Sequence, residues 1–208
     1  VKVLRAGDTA LLVETGDVAT AHRLNAALRA AAIPGVVDVV PGEQTVLVVT
    51  DPATGPAVDL DRLAARLPGL ALPADAEDDT APVEIPVVYD GEDLDEVAEL
   101  TGLSRDEVVH RHASASYTVA YLGFSPGFGY LTGLDPALHV ARRESPRTAV
   151  PAGSVAIAGP YAAVYPSRSP GGWRLLGRSD LPLWDVTRDP PSLLRAGTRV
   201  RFVPEESP

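Results

Sequence analysis

Hydrophobic and polar positions change rhythm along this chain, and each change marks an element. VKVLRAG and DTALLVE, at the start, read as two strands. Residues 17–32 then place Leu24, Ala27, Leu28 and Ala31 at i, i+3, i+4 and i+7, the spacing of one helical face. Pro34-Gly35 stops that helix. VVDVV and TVLVV follow on either side of PGEQ and read as a hairpin. Residues 58–67 return to helical spacing, with Leu60, Leu63, Ala64 and Leu67 on one side. Two helices on one face of a small antiparallel sheet is the simplest way to bury these stripes.

The rhythm then breaks. PGLALPADAEDDTAP, residues 68–82, holds three prolines and the acidic run Glu77-Asp78-Asp79, and reads as a linker. It divides the chain into a small α+β domain, 1–80, and a mainly-β domain, 81–208. The second domain opens with the strand VEIPVVY. Two short helices are expected next, because Asp93 with Glu96, and Ser104 with Glu107, each have capping-box spacing. Beyond them come YTVAYLGF, GSVAIAG, AAVYP, WRLLGRS and RVRFVP, short strand-like runs separated by Pro and Gly. That pattern predicts a closed or nearly closed barrel.

Composition narrows the range of functions. The formal net charge of −10 disfavours docking on phosphate backbones or anionic membranes, so neither nucleic acid nor membrane is an expected partner. No cysteine is present, which removes disulfides, thiolate nucleophiles and cysteine metal sites, and fits a cytoplasmic location. No run approaches 18 apolar residues, and VKVLRAGDTA has neither the apolar core nor the cleavage site of a signal peptide.

Familiar catalytic signatures are missing: no GxxxxGK[ST] cradle, no GxSxG elbow, no HExxH zinc pair. His110 and His112, two apart on an expected helix, diverge and make a poor metal pair, so no metal site is assigned. Candidate chemistry gathers between His112 and Arg178. Three glycine-proline clusters lie there: GFSPGFGYL at 123–131, PRTAVPAGSV around Arg147 and Ser154, and SPGGWRLLGRS at 169–179. Such loops hold fixed shapes and let backbone approach a ligand. Arg147 and Arg178 can each fork onto a carboxylate or phosphate. Phe124, Phe128 and Trp173 could wall a pocket. Each has a plainer reading: the clusters as barrel corners, Trp173 as a plug, Ser154 as a turn hydroxyl.

Taken in order, these residues resemble a known family. The pattern is a histidine, a tyrosine five residues on, GFxPGFxYL, PRxxVPAGSVxIAG and YPxxSPGGWxxxGR. Here it falls on His112, Tyr117, 123–131, 146–159 and 165–178. The family is the one named for the 5-oxoprolinase B subunit, also called allophanate hydrolase subunit 1 or KipI. The resemblance implies an α+β N-terminal domain followed by a cyclophilin-like β-barrel. It also implies a larger homologous partner, called allophanate hydrolase subunit 2 or the 5-oxoprolinase C subunit. With a third, lactam-opening subunit, the assembly would open 5-oxoproline to glutamate at the expense of ATP, with Mg²⁺ expected alongside the ATP. Other relatives are described as inhibitors of a sensor histidine kinase, or belong to urea carboxylase and allophanate hydrolase systems. Within the enzyme reading, His112 is the expected proton-transfer group, and Tyr130 and Ser154 orient the substrate. Arg147, Arg178, Tyr117, Phe124, Phe128, Gly171, Gly172 and Trp173 are expected to bind it. The chain departs from the pattern at Tyr161-Ala162-Ala163, where Gln-Thr-Gly is common, at Ala141, a frequent proline, and at Thr198, usually Asp.

Overall fold

A computed structural model describes residues 2–53, 56–73 and 81–205. The chain divides into two compact units, 1–77 and 78–208. The acidic run of the expected linker lies outside the described residues.

The first unit is a four-stranded antiparallel sheet in the order β1-β2-β4-β3, with β1 Lys2–Arg5, β2 Ala10–Glu14, β3 Val36–Pro41 and β4 Thr45–Thr50. Helices α1 (Val18–Ala31) and α2 (Leu60–Arg66) share one core with it. Leu24, Leu28, Leu60 and Leu63 pack there with Leu11, Val13, Val46 and Val48. Asp17 and Asp59 cap the two helices by accepting backbone N–H bonds. The buried stripe of α1 is Ala21, Leu24 and Leu28, one turn earlier than the spacing suggested, and Ala31 is exposed. The helix closes at Ala32 in the left-handed conformation, ahead of Pro34-Gly35.

The second unit is built on a seven-stranded sheet in the order β12-β9-β10-β7-β6-β13-β5. Its strands are β5 Val83–Val87, β6 Tyr117–Leu122, β7 Gly129–Thr132, β9 Ser154–Ala158, β10 Tyr161–Val164, β12 Arg174–Arg178 and β13 Arg199–Pro204. Val88 and Arg178 exchange two backbone hydrogen bonds of 2.9 Å, which ties the β5 edge back to β12 and nearly closes a barrel. Helices α3 (Leu94–Thr101) and α4 (Arg105–Ser114) follow β5.

Three strands were not apparent from the hydrophobic pattern. β7 lies inside the first glycine-proline cluster, where the glycines hide its alternation. β8 (Arg147–Val150) and β11 (Ser169–Gly171) come from the other two clusters and pair with each other in a separate two-stranded sheet. The clusters read as loops are therefore hydrogen-bonded to one another, with Gly171 opposite Arg147.

The capping boxes divide. Ser104 accepts from the Glu107 N–H as expected. Asp93 makes no capping bond with its side chain. Its carboxylate is taken by two arginines, whose charge-assisted hydrogen bonds outcompete a neutral helix N–H.

Candidate functional site

Strand alternation assigns the candidate residues to two faces of the barrel sheet. Val155 and Ile157 of β9, Val164 of β10, Leu131 of β7 and Leu176 of β12 enter the large core, which α3 and α4 cover. Their neighbours Ala156, Ala158, Ala163 and Leu175 point the other way, into a second cluster with Phe128, Tyr165 and Trp173.

His112 and Tyr117 belong to the first face. His112 lies on α4 and is fully buried. Its ring sits 4.5 Å from that of Phe202 and 5.5 Å from that of Tyr117, and its Nδ1 shares a 2.8 Å hydrogen bond with the Tyr89 hydroxyl. The Tyr117 hydroxyl donates to the backbone carbonyl of His112 at 2.9 Å. Burial pushes the His112 pKa down to about 3, so the ring is neutral near neutral pH. Tyr89 and Phe202 also line an open groove of about 830 Å³ with Arg105, His110 and Arg201, and none of the glycine-rich loops borders it. The setting of His112 is that of a core residue. A group that exchanges protons with a bound substrate needs access that this packing withholds.

Most of the other candidates meet on the second face. Phe128 packs edge-to-face against Phe124, Tyr130, Tyr165 and Trp173, with ring centres 5.2–5.6 Å apart. Tyr130 stacks on Tyr121 at 4.5 Å and meets Tyr161 edge-on at 5.7 Å. Tyr161, the first residue of the departure from the family pattern, thus forms the margin of this aromatic cluster. Ser154 is buried, and its carbonyl accepts from the Tyr165 N–H at 2.9 Å. Next to it, Gly153 is held at φ 81° with the Ser179 carbonyl oxygen 2.2 Å from where a Cβ would stand, so only glycine fits there. Arg178 pairs with Ser154 in register but is exposed, and its Nε donates to Asp90 at 2.9 Å. Arg178 belongs to the rim of this face rather than to its centre.

Phe124 is the exposed aromatic of the cluster, 60% accessible. It has φ 66°, and the Ser125 N–H reaches back to the Gly123 carbonyl at 2.7 Å. That is a γ-turn with a bulky residue at its centre, a strained arrangement that side chains rarely adopt. The turn holds the ring out into solvent.

Beside the aromatic cluster lies an ion-pair network organised by a residue that motif reading passed over. Asp93 is 2% exposed. Its Oδ1 accepts from Arg143 Nη1 at 2.8 Å and Arg147 Nη2 at 2.7 Å, and its Oδ2 accepts from the Leu175 N–H at 2.8 Å. Burial alone would raise the Asp93 pKa. The bonds from Arg147 and Leu175 and the charge of Arg143 outweigh it and hold the carboxyl below its ordinary value. Glu92 pairs with Arg147, and Glu96 pairs with Arg143 and Arg174. The Arg143 N–H donates to the Gly172 carbonyl at 2.8 Å, which fixes the SPGGW loop against this network. Arg142 lies over the Trp173 ring at 5.7 Å. Tyr165 connects the two halves: the Trp173 backbone N–H donates to its hydroxyl, and Arg142 and Arg147 both lower its pKa, although burial raises it overall. The clue to Asp93 in the sequence was a third acidic residue in Asp90-Gly91-Glu92-Asp93 straight after a strand, which also suits a helix start.

The carboxyltransferase domain family, subdomains C and D, matches residues 1–194. This chain belongs to that family. It is 42% identical to the B subunit of 5-oxoprolinase from Escherichia coli O157:H7, over 96% of this chain and 94% of that one. The crystal structure of TTHA0988 superimposes with a TM-score of 0.84 at 41% identity, over 96% of this chain but only 41% of that longer one. The Kluyveromyces lactis urea carboxylase, at 23% identity and TM-score 0.76, shares the fold over 22% of its length. In both of these structures, then, the region corresponding to this chain is one segment of a larger polypeptide. Among the described residues no helix is long and apolar enough to cross a membrane, and no group of three or more His, Asp or Glu side chains could hold a metal.

Proposed function

We infer that this chain is the smaller subunit of a 5-oxoprolinase and works in complex with a larger homologous subunit. The observation that carries this reading is the 42% identity to the 5-oxoprolinase B subunit over nearly the full length of both chains. In this reading the barrel is of the cyclophilin-like type, and a third subunit completes opening of the lactam. The substrate, 5-oxoproline, is a small anion with an amide in a ring. Its carboxylate calls for a fixed cation, and its flat ring calls for apolar walls. Arg147 near Tyr165 supports the first need, and Phe128 with Tyr130 supports the second. In this reading Ser154 and Tyr130 orient the ring, and the exposed Phe124 touches substrate or the larger subunit.

ATP, with Mg²⁺, would activate the lactam oxygen by phosphorylating it. The residues here suit the anionic oxygens of such a group: the Arg143 and Arg147 guanidiniums and the backbone of the glycine-rich loops. No nucleotide cradle is present in this sequence, so the larger subunit is assigned most of the nucleotide contacts. Reconstitution tests the reading. Combining this chain with the larger subunit and the lactam-opening subunit, plus ATP, Mg²⁺ and 5-oxoproline, should yield glutamate and ADP. Omitting this chain should abolish both. Unchanged turnover without it would refute the assignment.

A further inference from the structure

We propose that Asp93 is a positioning residue that holds Arg143 and Arg147 as a two-pronged seat for an oxyanion of the substrate, either its carboxylate or the phosphoryl group placed on it. The proposal rests on the 5-oxoprolinase reading for the identity of the ligand, but not for the existence of the seat.

Two guanidiniums converge on one oxygen, Asp93 Oδ1, at 2.8 and 2.7 Å. Without that buried carboxylate they would repel each other and swing into solvent. The other carboxylate oxygen is fixed by the Leu175 N–H of β12, so the hub is bolted to the sheet. The bonding capacity of the arginines is not exhausted. Arg147 Nη1 and Arg143 Nε are buried with no hydrogen-bond partner among the described residues. Unpaired buried donors are costly, and these two lie on the guanidiniums that meet at Asp93. Arg143, Arg147 and Arg174 pair with Glu92, Asp93 and Glu96, and Arg142 adds a fourth cation over Trp173. Apart from those buried atoms, the Arg143 and Arg147 side chains keep 32% and 17% of their surface exposed, and it is there that an anion would meet the pair.

Asp93 itself is satisfied on both oxygens by protein groups, so its part is to orient the arginines, not to touch the ligand. Removing its charge should weaken binding more than turnover.

The test uses the reconstituted complex with Asp93→Asn and Arg147→Lys, and Arg201→Lys as a control on β13, where the arginine pairs with Glu84. The loss of one charge-assisted hydrogen bond predicts a KM for 5-oxoproline raised about 10- to 100-fold in Asp93→Asn and in Arg147→Lys, with kcat changed less. Arg201→Lys should leave both constants alone. A KM within about twofold of the parent in folded Asp93→Asn or in Arg147→Lys overturns the proposal. Lysine keeps the charge and loses the fork, so Arg147→Lys decides the matter if Asp93→Asn does not fold.

A second measurement separates this proposal from the enzyme reading. Inorganic phosphate should raise the melting temperature of the parent chain above that in chloride of equal ionic strength, and Arg147→Lys should lose the increment. If the complex opens no lactam yet this increment is seen and lost on substitution, the seat stands and the 5-oxoprolinase reading falls. If the parent shows no increment, or Arg147→Lys keeps it in full, the seat falls.

Discussion

The two faces of the barrel sheet carry similar side chains and put them to opposite use. On the inner face the His112, Tyr117 and Phe202 rings are packed within 4.5–5.5 Å of one another, with His112 Nδ1 hydrogen-bonded to Tyr89 and Nε2 buried without a partner among the described residues. On the outer face the rings of Phe124, Phe128, Tyr130 and Trp173 meet at similar distances, but the cluster is bordered by glycine-rich loops and by arginines with hydrogen bonds still to make. A histidine at neutral pH is a good proton carrier only where water or substrate can reach it. A tyrosine or arginine at a loop-lined margin has that access. Residue type alone does not separate the two settings. The face of the strand does.

The strongest way to probe the inner face is acid. The His112 ring stays neutral in the folded chain down to about pH 3, whereas the unfolded chain protonates it near 6.5. Between those values the unfolded state binds the extra proton. The contribution of the neutral ring to stability is therefore complete above about pH 6.5 and is lost as pH falls towards 3, at up to about 1.4 kcal/mol per pH unit. Urea unfolding across that range should show this slope in the parent and a shallower one in His112→Gln. An identical slope in both would mean that the ring is not sealed.

Truncation gives a smaller effect and separates the faces directly. His112→Ala leaves a cavity among three aromatic rings and should cost about 2–4 kcal/mol of unfolding free energy. The fraction that remains folded should keep its turnover in the complex. If folded His112→Ala protein assembles normally and is inactive, the inner face takes part in the chemistry and the contrast between the faces collapses.

The outer face should respond in the reverse manner. A Cβ at Gly171 would stand 2.3 Å from the Tyr165 hydroxyl, which is itself buried. Gly171→Ala must shift that ring or the SPGGW loop, at a cost of about 1–3 kcal/mol. Because Tyr165 joins the aromatic cluster to Arg147, turnover should fall more than stability does. Thermal melts and steady-state kinetics on the same preparation would show it, and equal losses in both would argue for a purely structural loop.

How far the sequence disclosed this arrangement follows from what each signal encodes. The helical stripes of Leu24, Leu28, Leu60 and Leu63, and the hairpin around PGEQ, were legible because burial on one face imposes a period. The strands in glycine-proline clusters were not, since Gly129 and Gly171 carry no side chain to show alternation. The motif order placed Phe128, Tyr130, Arg147 and Trp173 in one group, and the structure brings them together. It also placed His112 there, because a motif records order and not the side of a sheet. Asp93 was hidden for a different reason. Its partners lie 50 and 54 residues away, and nothing local in the sequence announces a pairing at that range.

The finest test concerns Phe124, an outer-face ring that the fold leaves exposed. Phe124 holds φ 66° at the centre of its γ-turn, so glycine would suit the backbone better. Relief of strain and the extra chain entropy of glycine nearly cancel, and Phe124→Gly should change stability by no more than about 1 kcal/mol in either direction. An exposed aromatic kept in a strained turn makes sense only if it meets something. On the 5-oxoprolinase reading, Phe124→Gly should therefore fold like the parent yet raise the KM for 5-oxoproline or loosen the proposed larger subunit. Titrating that subunit against labelled chain, in parallel with kinetics, tells the two apart: weaker assembly at unchanged KM assigns the ring to the interface, and the opposite result assigns it to the substrate. A variant that matches the parent in both would show that the outer face ends at Phe128, inside the cluster.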